Sequence, residues 1–144
     1  GEGPDRAKIE AEIDRLELND RVHLPGIVDD PAKAVGLFDI FALSSDSEQF
    51  PLSVVEAMAA GRPVVAPEIG DIARIVAEEN LPYLAAAAEE EAIGEALVAL
   101  ANDAKLRDRV GKANRAKARA QFDADRMIAA YRRLYSSAMH GFDL

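Results

Sequence analysis

The sequence predicts an α/β fold, a parallel sheet with flanking helices and a helical C-terminal third, on three observations. Ile40-Phe-Ala-Leu43 and Val64-Val-Ala66 are short apolar runs without alternation, as suits strands buried on both faces. The segment between them, Pro51 to Ala60, has helical character, so strand, helix and strand form a βαβ unit. Beyond Glu91 the pattern is helical almost to the end of the chain.

Taken in order, Arg21-Val-His-Leu24 reads as a strand, and Asp30 opens a short helix from Pro31 to Phe38. Pro51 suits the first position of the next helix; Gly61 stops it and Pro63 follows, the punctuation of a helix turning back into a parallel strand. Gly70-Asp71 precedes a helix over Ile72 to Ala77. The Ala85 to Ala88 run ends a strand and enters a helix from Glu91 to Asn102. Helices over Ala104 to Gln121 and Asp123 to Ala138 follow, with Asp103 and Asp123 as N-caps. At 144 residues the chain has the length of one domain, and residues 1–144 are expected to form a single one.

Composition narrows the function classes. Hydrophobic residues make up 49% and charged residues 30%, and no apolar run is long enough to span a bilayer, so a cytoplasmic protein is expected. The absence of cysteine excludes a disulfide framework and thiolate metal sites. A net charge of −9 argues against a nucleic-acid partner, because a phosphate backbone needs a basic footprint.

In a parallel α/β sheet, ligands bind beyond the carboxyl ends of the strands, which here means the loops Ser44 to Phe50 and Pro67 to Asp71. The first holds Glu48, just ahead of a helix whose free N–H groups make a positive end. Glu56 lies within that helix, on a stripe with Leu52, Val55 and Ala59, which places its carboxylate in an interior where an unpaired charge is costly. Gly70 and Asp71 open the second helix, whose N–H groups also favour a phosphate, so two helix ends are expected to aim at one diphosphate.

Glu48-Gln-Phe-Pro-Leu-Ser-Val-Val-Glu56, Ala-Met-Ala-Ala-Gly61 and Pro63-Val-Val65 resemble the Glu-x7-Glu signature of retaining, sugar-nucleotide-dependent glycosyltransferases of the GT-B fold, group 1 or family 4. The resemblance extends to Gly1-Glu-Gly-Pro4, Arg21 to Gly26, Asp39-Ile-Phe41 and Phe122 to Tyr135, and so covers nearly the whole chain. It implies the Rossmann-like C-terminal lobe of the GT-B fold, with a UDP- or GDP-linked sugar as donor substrate and no cofactor or metal. By the same resemblance, Glu48 is the candidate catalytic residue, in contact with the donor sugar near the reacting centre, and Glu56 hydrogen-bonds the ribose hydroxyls. Gln49, Phe50, Pro51, Leu52, Gly70 and Asp71 line the donor site. Phe50 and Leu52 approach the donor through backbone N–H groups, whereas Pro51 has none and only shapes the loop.

The sequence also departs from the family. Gln49 stands where glycine is common, Asp71 replaces a frequent second glycine, and Arg74 stands where an acid is often found. The family's domain begins one strand and one helix earlier, in a segment that carries the arginine and lysine facing the leaving diphosphate. The N-terminal acceptor lobe is therefore an expected partner, the chain alone is expected to be inactive, and its uncovered sheet edge is expected to form a homodimer, to take a partner chain or else to leave the fold marginally stable. Two alternatives share the resemblance: a non-catalytic nucleotide-sugar-binding or interaction domain, and another GT-B enzyme such as an epimerase or phosphorylase.

Other polar features read as structural. Seven basic residues lie between Lys105 and Arg119, beside an apolar side of Leu106, Val110, Ala113 and Ala120. Peripheral contact with an anionic inner-membrane surface is the functional reading, and a solvated helix face the plainer one, favoured because Asp108 breaks the run. Tyr131, Leu134 and Tyr135 read as packing. His23 and His140 lack a neighbouring acid and nucleophile, and Asp29-Asp30 reads as a helix cap before it reads as a magnesium pair. A phosphoacceptor signalling module would need a lysine in the Pro67 to Asp71 loop, which has none.

Overall fold

A computed structural model describes residues 2–86 and 89–139. Gly1, His140 and the last two alanines of the Ala85 to Ala88 run lie outside the described residues. The chain forms two compact units, Gly1–Ala34 and Val35–Leu144.

The first unit contains helix α1, Arg6–Arg15, which buries Ile13. Arg6 ties it together: its guanidinium donates to Glu10 at 2.8 Å, to Glu2 at 3.1 Å and to the Leu24 carbonyl at 3.2 Å. The strand expected over Arg21 to Leu24 is absent, because the Arg21 and Val22 N–H groups both donate to Leu18 O, each at 2.9 Å, in a turn. Backbone groups engaged locally in this way cannot enter a ladder.

Helix α2, Pro31–Gly36, crosses the boundary between the units, and Asp30 caps it as expected: the Lys33 N–H donates to Asp30 Oδ1 at 3.2 Å. In the second unit β1 (Phe41–Ala42), β2 (Val64–Pro67) and β3 (Leu84–Ala85) form a parallel sheet in the order β1-β2-β3. Phe41 pairs with Val64 and Ala66 with Leu84, so β2 is central, and all four of its residues are buried. That double-sided burial is why Val64-Val-Ala66 shows no alternation.

Helix α3, Leu52–Ala59, connects β1 to β2. The turn at Gly61 has φ of +75°, a left-handed conformation that an L side chain resists. The stripe assigned to α3 from sequence needs correction. The buried face is Val54, Ala57 and Met58, whereas Leu52 and Ala59 are exposed. Helix α3 packs against both α4 (Ile72–Ile75) and α6 (Ala104–Gln121), and these neighbours select the 54/57/58 face.

A 3₁₀ helix over Glu78–Tyr83 leads into β3, and α5 (Glu90–Asn102), α6 and α7 (Ala124–Met139) complete the unit. Both expected caps are in place: Leu106 N–H donates to Asp103 Oδ1 at 2.9 Å and Arg126 N–H to Asp123 Oδ1 at 3.0 Å. The buried side of α6 is Val110, Gly111, Asn114 and Ala118, with Ala120 exposed, so its apolar face is rotated from the one read in the sequence. A Cβ on Gly111 would lie 2.1 Å from Gly61 O, which shows how closely α6 approaches the turn after α3.

Candidate functional site

The three strands are parallel, so the loops after β1 and β2 leave the same edge of the sheet. The two loops meet there through their backbones. The Asp71 N–H donates to Gln49 O at 2.9 Å. Gly70 sits at φ +55°, and a Cβ on it would lie 2.3 Å from Glu48 O and 2.8 Å from Gln49 O. Gly70 therefore does two things at once: it adopts the left-handed turn at no steric cost and, lacking a Cβ, lets one loop rest directly on the other. Glu48 and Gln49 are held from beneath by this contact.

Glu48 is half-buried in the loop and Gln49 and Phe50 are exposed. Pro51 is buried at the N-cap of α3, one position earlier than the sequence suggested, with φ −70° and ψ 110°. No side chain caps this helix. Val54 N–H returns to Pro51 O at 3.1 Å, so the N–H groups of Leu52 and Ser53 are those that the first turn leaves without intrahelical acceptors. This end is open to an anion.

Two expectations change. Glu56 is exposed, not interior; it shares the solvent side of α3 with Leu52 and Ala59, one turn along from Leu52. The cost of burial therefore gives no reason for its charge, and its assignment rests on the motif. The second helix end is not an equal anion site either. Helix α4 is only Ile72–Ile75, the Asp71 N–H is taken by Gln49, and the Ile72 N–H donates to Ile69 O at 3.2 Å. Gly70 and Asp71 brace the Glu48 loop, and Arg74 pairs with Asp71 at 3.3 Å.

A residue pair behind the site was not singled out in the sequence. Asn80 and Asn114 are fully buried. Asn80 forms a two-way pair with Val64, accepting from its N–H and donating to its carbonyl, both at 2.8 Å. Asn114 Nδ2 donates to Arg62 O at 2.9 Å and to Asn80 Oδ1 at 2.8 Å, while its Oδ1 accepts from Ala77 N–H at 3.0 Å. This network fixes the start of β2 against α6 and the 3₁₀ helix. The signal for it was an asparagine on the inner side of α6, flanked by Val110 and Ala118.

The basic residues of α6 are partly engaged in the fold. Arg107 donates to Leu100 O and Ala101 O, Lys112 pairs with Asp108, and Lys117 donates to Arg74 O and Val76 O. Two clefts are lined by residues outside the site loops. One, of ≈ 590 Å³, belongs to the first unit and includes Arg6, Glu10, Asp14 and His23; the other, of ≈ 300 Å³, includes Asp39, Arg62 and Arg107. In the first, Arg6 is already neutralised by Glu2 and Glu10. The second adjoins Asp39 and Pro63, at the opposite ends of the strands from Glu48. Among the described residues no helix is long and apolar enough to cross a membrane.

Comparison with known proteins places this geometry in context. Residues 1–117 match the family described as glycosyl transferases group 1. The chain is 27% identical over 135 residues to N-acetyl-alpha-D-glucosaminyl L-malate synthase of Bacillus anthracis, covering 94% of this chain and 35% of that protein. It is 32% identical over 123 residues to phosphatidyl-myo-inositol mannosyltransferase of Mycobacterium leprae, covering 83% of this chain and 33% of that protein. The chain thus spans about a third of the length of these relatives. Among solved structures, Anabaena HepE in complex with UDP superposes with a TM-score of 0.84 at 25% identity, over 91% of this chain and 36% of that one. Sucrose-phosphate synthase of Thermosynechococcus elongatus gives a TM-score of 0.78 at 27% identity, over 94% of this chain and 35% of that one.

Proposed function

Because the chain belongs to the group 1 glycosyl transferases, we propose that it is the donor-binding lobe of a retaining enzyme that moves a hexosyl group from a UDP- or GDP-sugar to an acceptor hydroxyl. The observation that carries this reading is the backbone contact of Gly70 and Asp71 with Glu48 and Gln49, which holds the Glu48 loop beside the open N-terminus of α3. The likeness to a structure containing UDP supports it.

In this reading Glu48 accepts hydrogen bonds from the donor sugar and orients its anomeric carbon. The Leu52 and Ser53 N–H groups receive the diphosphate, whose charge grows as the glycosidic bond breaks, so the helix end stabilises the departing group more than the bound donor. Glu56, one turn further on, accepts from two ribose hydroxyls, and each charge-assisted bond contributes about 1.5–3 kcal/mol. The donor is a substrate and no cofactor or metal enters. A second lobe supplies the acceptor, in a cytoplasmic setting that the lack of cysteine suits.

Calorimetric titration of the chain with UDP, GDP and ADP tests the proposal. Saturable one-to-one binding of UDP or GDP is expected. Failure of all three to bind would refute the donor-lobe assignment.

A further inference from the structure

We propose that Phe122 is a positioning residue for the donor loop: its ring holds Phe50, and through Phe50 the backbone that carries Glu48 and the first N–H groups of α3. This rests on the donor-binding reading above.

Phe50 and Phe122 meet edge to face, with ring centroids 5.8 Å apart and planes at 77°. The two partners are held very differently. Phe122 ends α6; its N–H donates to Ala118 O at 2.8 Å, its side chain packs against the core, and the next residue, Asp123, caps α7. Phe50 is 43% exposed and lies in a loop without regular structure. A fixed ring therefore meets one that its own segment does not fix.

The loop is gripped at two neighbouring points. The Gln49 carbonyl accepts from Asp71, and the Phe50 ring rests on Phe122. The first contact sets the height of the loop, and the buried Pro51 restricts the Phe50 backbone without placing its ring. The second contact places the ring and thereby aims the Phe50 N–H and the entry into α3. General packing would explain an apolar residue at 122, whereas positioning requires a ring there, because the edge of one ring and the face of the other carry complementary charge.

The test compares the parent with Phe122→Leu, Phe122→Tyr, Phe50→Leu and the double leucine variant, using ¹⁵N relaxation and UDP titration. In Phe122→Leu the order parameters of Gln49, Phe50 and Leu52 should fall toward about 0.6 while those of Val64 to Ala66 stay near about 0.85. UDP affinity should weaken about three- to tenfold, the range that an edge-to-face pair spans. Phe122→Tyr should restore both, and the double variant should lose no more than either single one. Should Phe122→Leu not fold, Phe50→Leu reads the same contact from its exposed side, with the same loss of order at Gln49 and Leu52. Unchanged loop order, equal loosening of β2, or additive losses would each overturn the proposal. If the parent binds none of UDP, GDP and ADP, the donor-binding reading falls, and the order parameters still decide whether Phe122 holds the loop.

Discussion

Glu56 shows how a motif and a burial argument separate. Its sequence position suggested an interior carboxylate, yet the side chain is exposed on α3, so replacing it should leave the fold unchanged. Glu56→Gln keeps the shape and removes the charge. We predict at least about tenfold weaker UDP binding, from loss of about 1.4 kcal/mol or more, with an unchanged melting temperature. Deoxyribose nucleotides should bind the parent poorly for the same reason. If Glu56→Gln binds UDP like the parent, Glu56 does not contact the ribose. Gly70 gives the opposite pattern. In Gly70→Ala the new Cβ meets Glu48 O in a left-handed turn, so both stability and binding should fall, stability by about 1–2 kcal/mol or more. Chemical denaturation and UDP titration of the same sample check the pairing of the two losses.

At the scale of elements, much of the second unit was legible. The caps at Asp103 and Asp123, the stop at Gly61 and the runs that became β1 and β2 are local signals, and local chemistry decides them. Helix faces are set by neighbours. Because α3 has α4 on one side and α6 on another, its buried face could not be read from the apolar spacing of Leu52, Val55 and Ala59 alone. The Arg21 to Leu24 segment has strand-like composition, but its first amides bond within a turn. The Asn80 and Asn114 pair was missed because asparagine reads as a surface residue, although buried polar groups that are fully bonded are a standard way to fix one arrangement. Asn114→Ala would leave the Ala77 N–H and the Arg62 carbonyl without this partner inside the unit. We predict a loss of roughly 2–6 kcal/mol, from two unsatisfied groups at about 1–3 kcal/mol each. Urea unfolding should show a lower midpoint with the slope retained.

At the scale of the molecule, the motif from Glu48 to Glu56 made the candidate site legible, because it joins chemistry and topology within nine residues. The brace from Gly70 and the hold from Phe122 were not legible, since both depend on residues distant in sequence. Helix α7 exposes Met127, Ile128, Tyr131, Leu134, Tyr135 and Met139 and buries none of its residues. An apolar face of that size favours association, so light scattering over a concentration series should give a mass above that of the 15.5 kDa chain. A monomer at every concentration would contradict this expectation.

The proposed site for a nucleoside diphosphate is the junction of the loops after β1 and β2. An NMR titration of the ¹⁵N-labelled chain with UDP tests it most directly. The largest amide shifts are expected within Glu48 to Glu56 and Glu68 to Asp71, and Glu56→Gln should reduce them. Shifts centred instead on the cleft of Arg6, Glu10 and His23, or on α6 and α7, would contradict it.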